Sequence, residues 1–367
     1  MDYEIDFLPV GEGERSGDAI CLRYTCDGGA SWYVGVIDGG TKDSGEQLCQ
    51  HIRDFYQTEV VDFLICTHPD QDHASGLSVV MEELTVRRVL MHCPWDYIDH
   101  IFKRVTDGRV TKEGLRQRLI DNHSYSYAIY EKAKADNIPI FHAFAGHYKS
   151  DLPCLHIAGP TYDYYLNQVI NFRSITQLTE DTETSIFDDL YSAGHSIFNR
   201  VVESISEEAL VEPVEDATSA ENNSSVITFF DFSGKKALLT GDAGVPALEQ
   251  AANHIESLGH PLGEFSFFQV PHHGSKRNVG PSILTRLLGA PPLLDTEPES
   301  TFSSFISAAP DGAPKHPSSR VVNALIRRRS RVIATQGAKA RRFTPNMPDR
   351  DWGDANPLPF TYEYEDD

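Results

Sequence analysis

Val60-Val61-Asp62-Phe63-Leu64-Ile65-Cys66-Thr67 runs without interruption into His68-Pro69-Asp70-Gln71-Asp72-His73. The first part is an apolar run of strand length, and it stops at a cluster of titratable side chains. Within six positions His68, Asp70, Asp72 and His73 supply two imidazoles and two carboxylates. A loop built only for turning draws on Gly, Pro, Asn and Asp without flanking histidines. In a tight turn, alternating residues project to one side while an adjacent pair faces the other. His68 with Asp70 can therefore serve one cation, and Asp72 with His73 a second.

Outward from this stretch the chain alternates strands and helices. Before it come strand-type runs YEIDFLPV, AICLRYTC and SWYVGVID, separated by Gly11 to Gly17 and by Asp27-Gly28-Gly29, then a helical pattern from Ser44 to Gln57 with Leu48, Ile52 and Phe55 on one face. After it come a short helix beyond Ala74, a strand RRVLMHC, a helical stretch from Lys112 to Asp136, and strands PIFHAFAG and CLHIAGP. This is an α/β alternation. The stretch 164–221 breaks the rhythm, being acidic and ending in EPVEDATSAENN, and is expected to be an insertion between an N-terminal half, 1–163, and a C-terminal half, 222–367. Strand-type runs resume at SVITFFDF and KKALLTG. A helix from Val245 to Leu258 precedes EFSFFQV, which runs into Pro271-His272-His273-Gly274-Ser275.

The 367 residues, 40% of them hydrophobic, suffice for one large α/β domain. An acidic N-terminus and the lack of any run of about 18 apolar residues predict a soluble, cytoplasmic protein that does not enter a membrane. The six cysteines show no C-x-x-C spacing and are expected to be free thiols. A net charge of −22 argues against binding nucleic acid through overall positive field. Charge is uneven, however. From 171 to 222 twelve acids face only Arg173 and Arg200, whereas 315–342 carries Lys315, Arg320, Arg327, Arg328, Arg329, Arg331, Lys339, Arg341 and Arg342 and no acid.

Asp242 ends the apolar run Leu238-Leu239-Thr240-Gly241, and is either a metal-bridging carboxylate or the cap of the helix near Val245. His272 and His273 follow another apolar strand, where consecutive histidines are seldom both core. His316 alone is unremarkable. Ser275, Lys276 and Arg277 follow the histidine pair, and the basic segment 315–342 could hold phosphates; alternatively the arginines of VVNALIRRRSR complement a helix dipole. His92, before Cys93-Pro94-Trp95, is a candidate substrate contact or a packed structural histidine.

Seven ordered pieces resemble the metallo-β-lactamase superfamily, and within it the ComEC-like branch: Gly17-Asp18-Ala19, Val36-Ile37-Asp38-Gly39-Gly40, Thr67 to Gly76, Asn222 to Val226, Leu238 to Asp242, Val270 to Ser275 and Lys315-His316-Pro317-Ser318. The general superfamily motif has histidine where this chain has Asp70, and the ComEC-like branch has aspartate there. The resemblance implies a four-layer αββα sandwich with the acidic insertion. It also implies one ion held by His68, Asp70 and a histidine of the 272–273 pair, a second held by Asp72, His73 and His316, and Asp242 bridging them. His273 is favoured as the ligand, leaving His272 to face substrate. Asp38 would support the metal loop through hydrogen bonds, with Ser275 in a similar place.

Imidazoles suit zinc, and the three carboxylates shift the balance toward manganese, so two divalent ions of either kind are expected. The activity implied is hydrolysis of a phosphodiester, nucleic acid or nucleotide, through a metal-bridging hydroxide, with Asp72 and His272 as catalytic residues and Lys276, Arg277 and His92 contacting substrate. Hydrolysis of small carboxylic or phosphocholine-like esters is a second reading. A non-catalytic binding module, recruiting a protein partner through 164–221, is a third.

Overall fold

A computed structural model describes residues 1–11, 15–105, 110–147, 151–180, 200–293, 296–311 and 316–365. Lys315 and the middle of the acidic stretch, 181–199, lie outside the described residues.

Two large sheets make the frame. The first has seven strands in the order Ala340–Phe343, Asp2–Phe7, Ala19–Thr25, Tyr33–Gly39, Phe63–Ile65, Val89–Met91 and Ile140–His142. Its N-terminal meander is antiparallel, and it turns parallel from Tyr33–Gly39 onward. The second has six strands in the order Ser330–Ala334, Phe302–Ile306, Phe265–Gln269, Lys235–Leu239, Ile227–Phe232 and Leu155–Gly159. Its first four strands are mutually parallel.

Alternation along the strands sorts the core. Tyr3, Ile5, Phe7, Ile20, Leu22 and Phe63 of the first sheet meet Phe230, Phe232, Phe267 and Phe305 of the second in one apolar layer. The opposite face of the first sheet packs on Leu48, Leu77 and Val80 of the helices Lys42–His51 and Gln71–Glu83 and on Ile52 just beyond the first, and the opposite face of the second on Leu248, Ile255, Leu284 and Leu325. The molecule is thus mixed α/β with sheets face to face and helices outside them.

Several expectations are corrected. The Ser44–Gln57 pattern is an α-helix only to His51 and continues as a π-type turn over Ile52–Tyr56. The stretch Lys112–Asp136 is two helices parted at His123. Phe302–Ile306, not among the expected strands, is a fully buried parallel strand; its serines hid it from a hydrophobicity count. In the described part of 164–221, Tyr165, Leu166, Val169 and Phe172 join an apolar cluster with Leu115 and Phe144, and Arg200–Val202 pairs with Glu363–Glu365 near the C-terminus.

Several arginines of the basic segment are turned inward rather than presented to solvent. Arg327 and Arg328 are buried; Arg327 pairs with Glu203, and Arg328 with Glu208 at 2.8 Å. Arg341 sits in the strand beside Asp2–Phe7 and pairs with the buried Glu4, while Arg331 donates to the Ala355 carbonyl. Of the charge expected to hold phosphates, Arg327, Arg328 and Arg341 instead neutralise the chain's own acids.

Candidate metal centre

In each sheet the parallel strands deliver their C-terminal ends to one rim, the usual place for a ligand crevice in such sheets. Asp38 ends Tyr33–Gly39, His68 follows Phe63–Ile65, Asp242 follows Lys235–Leu239, His272 and His273 follow Phe265–Gln269, and Ser307 follows Phe302–Ile306. Asp70 takes the N-cap position of helix Gln71–Glu83, so Asp72 and His73 lie in its first turn. The approach is tight. A Cβ on Gly76 would stand 2.0 Å from the Gly39 carbonyl oxygen, so this helix reaches the strand end only with glycine there.

Seven ligand-type side chains converge behind this rim. His73 Nε2 lies 3.5 Å from Asp242 Oδ2 and 4.0 Å from Asp72 Oδ2; His68 Nε2 lies 3.8 Å from Asp242 Oδ2 and 3.9 Å from Asp70 Oδ2. His273 Nε2 is 3.8 Å from Asp72 Oδ2, and His272 Nε2 is 3.7 Å from Asp242 Oδ2. Asp72, His73 and His273 form one compact ligand set, and Asp18, His73 and Asp242 another. His273 therefore joins Asp72 and His73, the position the resemblance gave to His316. His316 instead stands beside His272, ring centroids 5.9 Å apart, and among the described residues it belongs to no compact set of three ligand atoms.

The hydrogen-bond partners fix which imidazole nitrogens are free. His73 Nδ1 lies 2.8 Å from Asp38 Oδ2, a pure acceptor, so the proton sits on Nδ1 and Nε2 keeps its lone pair. Thr67 Oγ1 donates to the same carboxylate at 2.6 Å, which obliges His68 Nδ1, 2.9 Å away, to donate to Thr67 and leaves its Nε2 free as well. His273 Nδ1 donates to the Ser307 carbonyl at 2.9 Å. His272 Nδ1 donates at 2.9 Å to Asn278 Oδ1, whose amide is oriented by its own bond to the Asp242 carbonyl at 2.8 Å. In their neutral forms four histidines thus aim Nε2 lone pairs at carboxylates, with no hydrogen between the acceptors. His68 Nε2, His73 Nε2 and Asp242 Oδ1 are buried without any hydrogen-bond partner. Such orphaned atoms are costly unless a cation satisfies them, and an oxygen and imidazole set of this kind fits a divalent ion.

Proton uptake on the histidines is the other way to satisfy these acceptors, and the charges act in that direction. Burial pushes the Asp242 carboxyl up, but His73, His272 and His273 outweigh it and hold the carboxyl well below the usual range. Burial likewise opposes the ionisation of Asp72, which His273 and His73 nonetheless pull down to about 2. His73 is pushed down by burial and raised well above its ordinary value by Asp242 and Asp38. His316 is lowered to about 4 by burial and by the neighbouring His272 and His273.

Backbone strain marks the same places. Asp38, His272 and His273 have φ of 55°, 48° and 56°, left-handed values that non-glycine residues adopt only when surroundings hold them.

The remaining candidates are placed as follows. Ser275 Oγ accepts from the Arg277 amide at 3.2 Å, so it shapes the loop. Lys276 and Arg277 line a cavity of about 730 Å³ bounded by 210–217 and Arg320. His92 lies apart, buried and packed against the rings of Phe144 and Tyr165 at 4.5 and 4.3 Å. Sequence reasoning gave no role to Asp18, Gln269 or Asn278. Gln269 Nε2 holds Asp18 Oδ2 at 2.7 Å while its Oε1 accepts from the Thr240 amide at 2.8 Å, joining the two sheets behind the site. The signal for Asp18 was its place after Gly17 at the start of an apolar strand. Gln269 and Asn278 had none.

No protein-family model and no curated protein matches this chain. Among solved structures, unliganded yeast PDE1 overlaps it with a TM-score of 0.45 and 11% identity, covering 92% of this chain and 98% of its own. An overlap of that size fixes no activity.

Proposed function

We propose that the chain is a metal-dependent phosphodiesterase of the metallo-β-lactamase fold, in its ComEC-like branch. The observation that carries this reading is the convergence of three buried, unpartnered atoms, His68 Nε2, His73 Nε2 and Asp242 Oδ1, inside a ring of further carboxylates and imidazoles. One ion would be held by His68, Asp70 and Asp242, and a second by Asp72, His73, His273 and Asp242, with zinc or manganese as the metal. Divalent ions so placed lower the pKa of water and neutralise charge developing on a phosphoryl centre.

The chain's own groups do the rest. Asp38 keeps the protons of His68 and His73 on Nδ1. His272 has a side chain 34% exposed at the rim, and Asn278 accepts its Nδ1 proton in either charge state. A proton taken up on Nε2, stabilised by Asp242, can pass to a leaving oxygen. Lys276 and Arg277 would meet the substrate's remaining negative charge. Because Arg327, Arg328 and Arg341 serve internal ion pairs, a nucleotide or short phosphodiester is favoured over a long nucleic acid.

The test uses metal-stripped protein reconstituted with zinc or manganese and offered bis-p-nitrophenyl phosphate, cyclic nucleotides, single- and double-stranded DNA, RNA, p-nitrophenyl acetate and a phosphocholine ester. Turnover of phosphodiesters that needs metal and falls about 10²–10⁴-fold in His272→Ala, with both ions retained, is expected. Hydrolysis confined to the carboxylic or phosphocholine ester, or none at all by metal-loaded protein, would overturn the reading.

A further inference from the structure

Five of the strands that approach the metal centre leave their other ends at the far side of the two-sheet stack, and a second chemistry-bearing pair is found there. Strand Ala19–Thr25 begins beside Asp18 at the metal rim and ends at Cys26. In the other sheet, Ile227 pairs with Gly159 near the Asn222–Val226 loop, whose Ser225 Oγ accepts from the Asp242 amide, whereas Phe230 pairs with Leu155 at the opposite end, next to Cys154. Cys26 and Cys154 thus face each other across the two sheets, remote from the metal ligands.

Their sulfurs are 3.1 Å apart, closer than an ordinary contact between two sulfur atoms, and both residues are only partly buried. The other four thiols, of Cys21, Cys49, Cys66 and Cys93, are fully enclosed. Cys154 is held in a left-handed conformation, φ 71°, and its carbonyl accepts from the Asp231 amide at 3.0 Å, so its side chain is aimed by the fold rather than by free rotation of a loop. A further approach of roughly 1 Å gives the bond length of a disulfide, about 2.05 Å.

We propose that Cys26 and Cys154 form a reversible disulfide that ties the two sheets together at the end away from the metal centre, made by exchange with a low-molecular-weight disulfide of the glutathione type. The Cys26 thiolate attacks the small disulfide, forming a mixed disulfide and expelling one small thiolate. The Cys154 thiolate then attacks the Cys26 sulfur and expels the second. Two protein thiols are oxidised to one disulfide, two protons are released from them, and the small disulfide takes up both electrons to become two thiols. Burial and the neighbouring thiol push Cys154 up to about 12, which disfavours it as the first attacker; the second, intramolecular step falls to it because its sulfur already lies 3.1 Å from that of Cys26. The bond would close a loop between residues 128 apart, the long-loop case in which a cross-link restricts the unfolded chain most.

The purified full chain is incubated with glutathione disulfide, digested without reductant and mapped, and its thermal midpoint is measured before and after. The expected result is a Cys26–Cys154 linked peptide, a fall from six titratable thiols to four in denaturant, and a midpoint raised by several degrees and restored by reductant. Cys26→Ser and Cys154→Ser, each alone, should abolish both the linked peptide and the midpoint shift. A glutathione adduct that persists on either cysteine, a linkage to any other cysteine, or unchanged thiols would overturn the proposal. So would a linked peptide with no rise in the midpoint, since the two sheets would then not be held by it. None of these readouts depends on catalytic activity.

Discussion

Asp38→Asn tests the organisation of the candidate metal centre with little steric change. Asn tolerates the left-handed backbone at this position, so the substitution should leave the strand end in place. The carboxylate accepts from the Thr67 amide at 2.8 Å, the Thr67 hydroxyl at 2.6 Å and His73 Nδ1 at 2.8 Å. In the amide one oxygen can still accept from the Thr67 amide, but the NH2 group faces two donors. His73 escapes the conflict by moving its proton from Nδ1 to Nε2, and a protonated Nε2 cannot ligate. Loss of a ligand-orienting partner typically costs about 10–100-fold in metal affinity. Two lost hydrogen bonds to a buried charge, partly recovered by the new tautomer, amount to roughly 2–4 kcal/mol of folding stability. Competition against a chromogenic chelator reads the first quantity and urea unfolding of metal-free protein the second. Metal affinity within twofold of the wild type, in a variant whose unfolding midpoint has fallen, would refute the tautomer argument, because the carboxylate would then be structural only.

Other outcomes follow from the same structure. Asp72→Ala and His73→Ala should each lower the bound metal measured by elemental analysis, and a double variant retaining the full complement would rule out that loop as the site. Arg327→Ala leaves the buried Glu203 with hydrogen-bond donors but without its positively charged partner and should cost about 3 kcal/mol in urea unfolding. An unchanged unfolding midpoint, with a raised KM for polymeric DNA, would restore the arginines to a substrate role. Burial holds the His92 imidazole well below its ordinary pKa, so below about pH 6.5 the unfolded chain binds a proton that the folded chain refuses, and stability falls as pH falls. His92→Phe, stacking on Phe144 and Tyr165, should flatten the decline of the unfolding midpoint between about pH 6.5 and pH 5. An equally steep decline would clear His92 of that role.

The alternation of strands and helices was legible because its cause is local. Apolar runs such as Phe63–Ile65 and Phe265–Gln269 ending in polar clusters report burial followed by exposure at a rim, and the density of His68, Asp70, Asp72 and His73 marks a candidate cation site whatever the surroundings. Helix ends were less legible, since His123 interrupts its helix through a bond to the Leu119 carbonyl that periodicity does not register. The strand Phe302–Ile306 was hidden because a parallel strand between two neighbours can bury serines whose backbone is fully paired.

What the sequence by itself determined was the kind of chemistry: which side chains could ligate, that they follow apolar strands, and that positive and negative charge are segregated along the chain. Only the tertiary structure decided their partners. It set His273 with Asp72 and His73, fixed the imidazole protons through Asp38, Ser307 and Asn278, and brought Asp18 and Gln269 behind the site from positions 251 residues apart. It also turned Arg327 and Arg328 inward onto Glu203 and Glu208. The physical reason is that ligation, tautomer and ion pairing depend on distances of a few ångströms between residues far apart in the chain, and only the packing of the two sheets sets those distances.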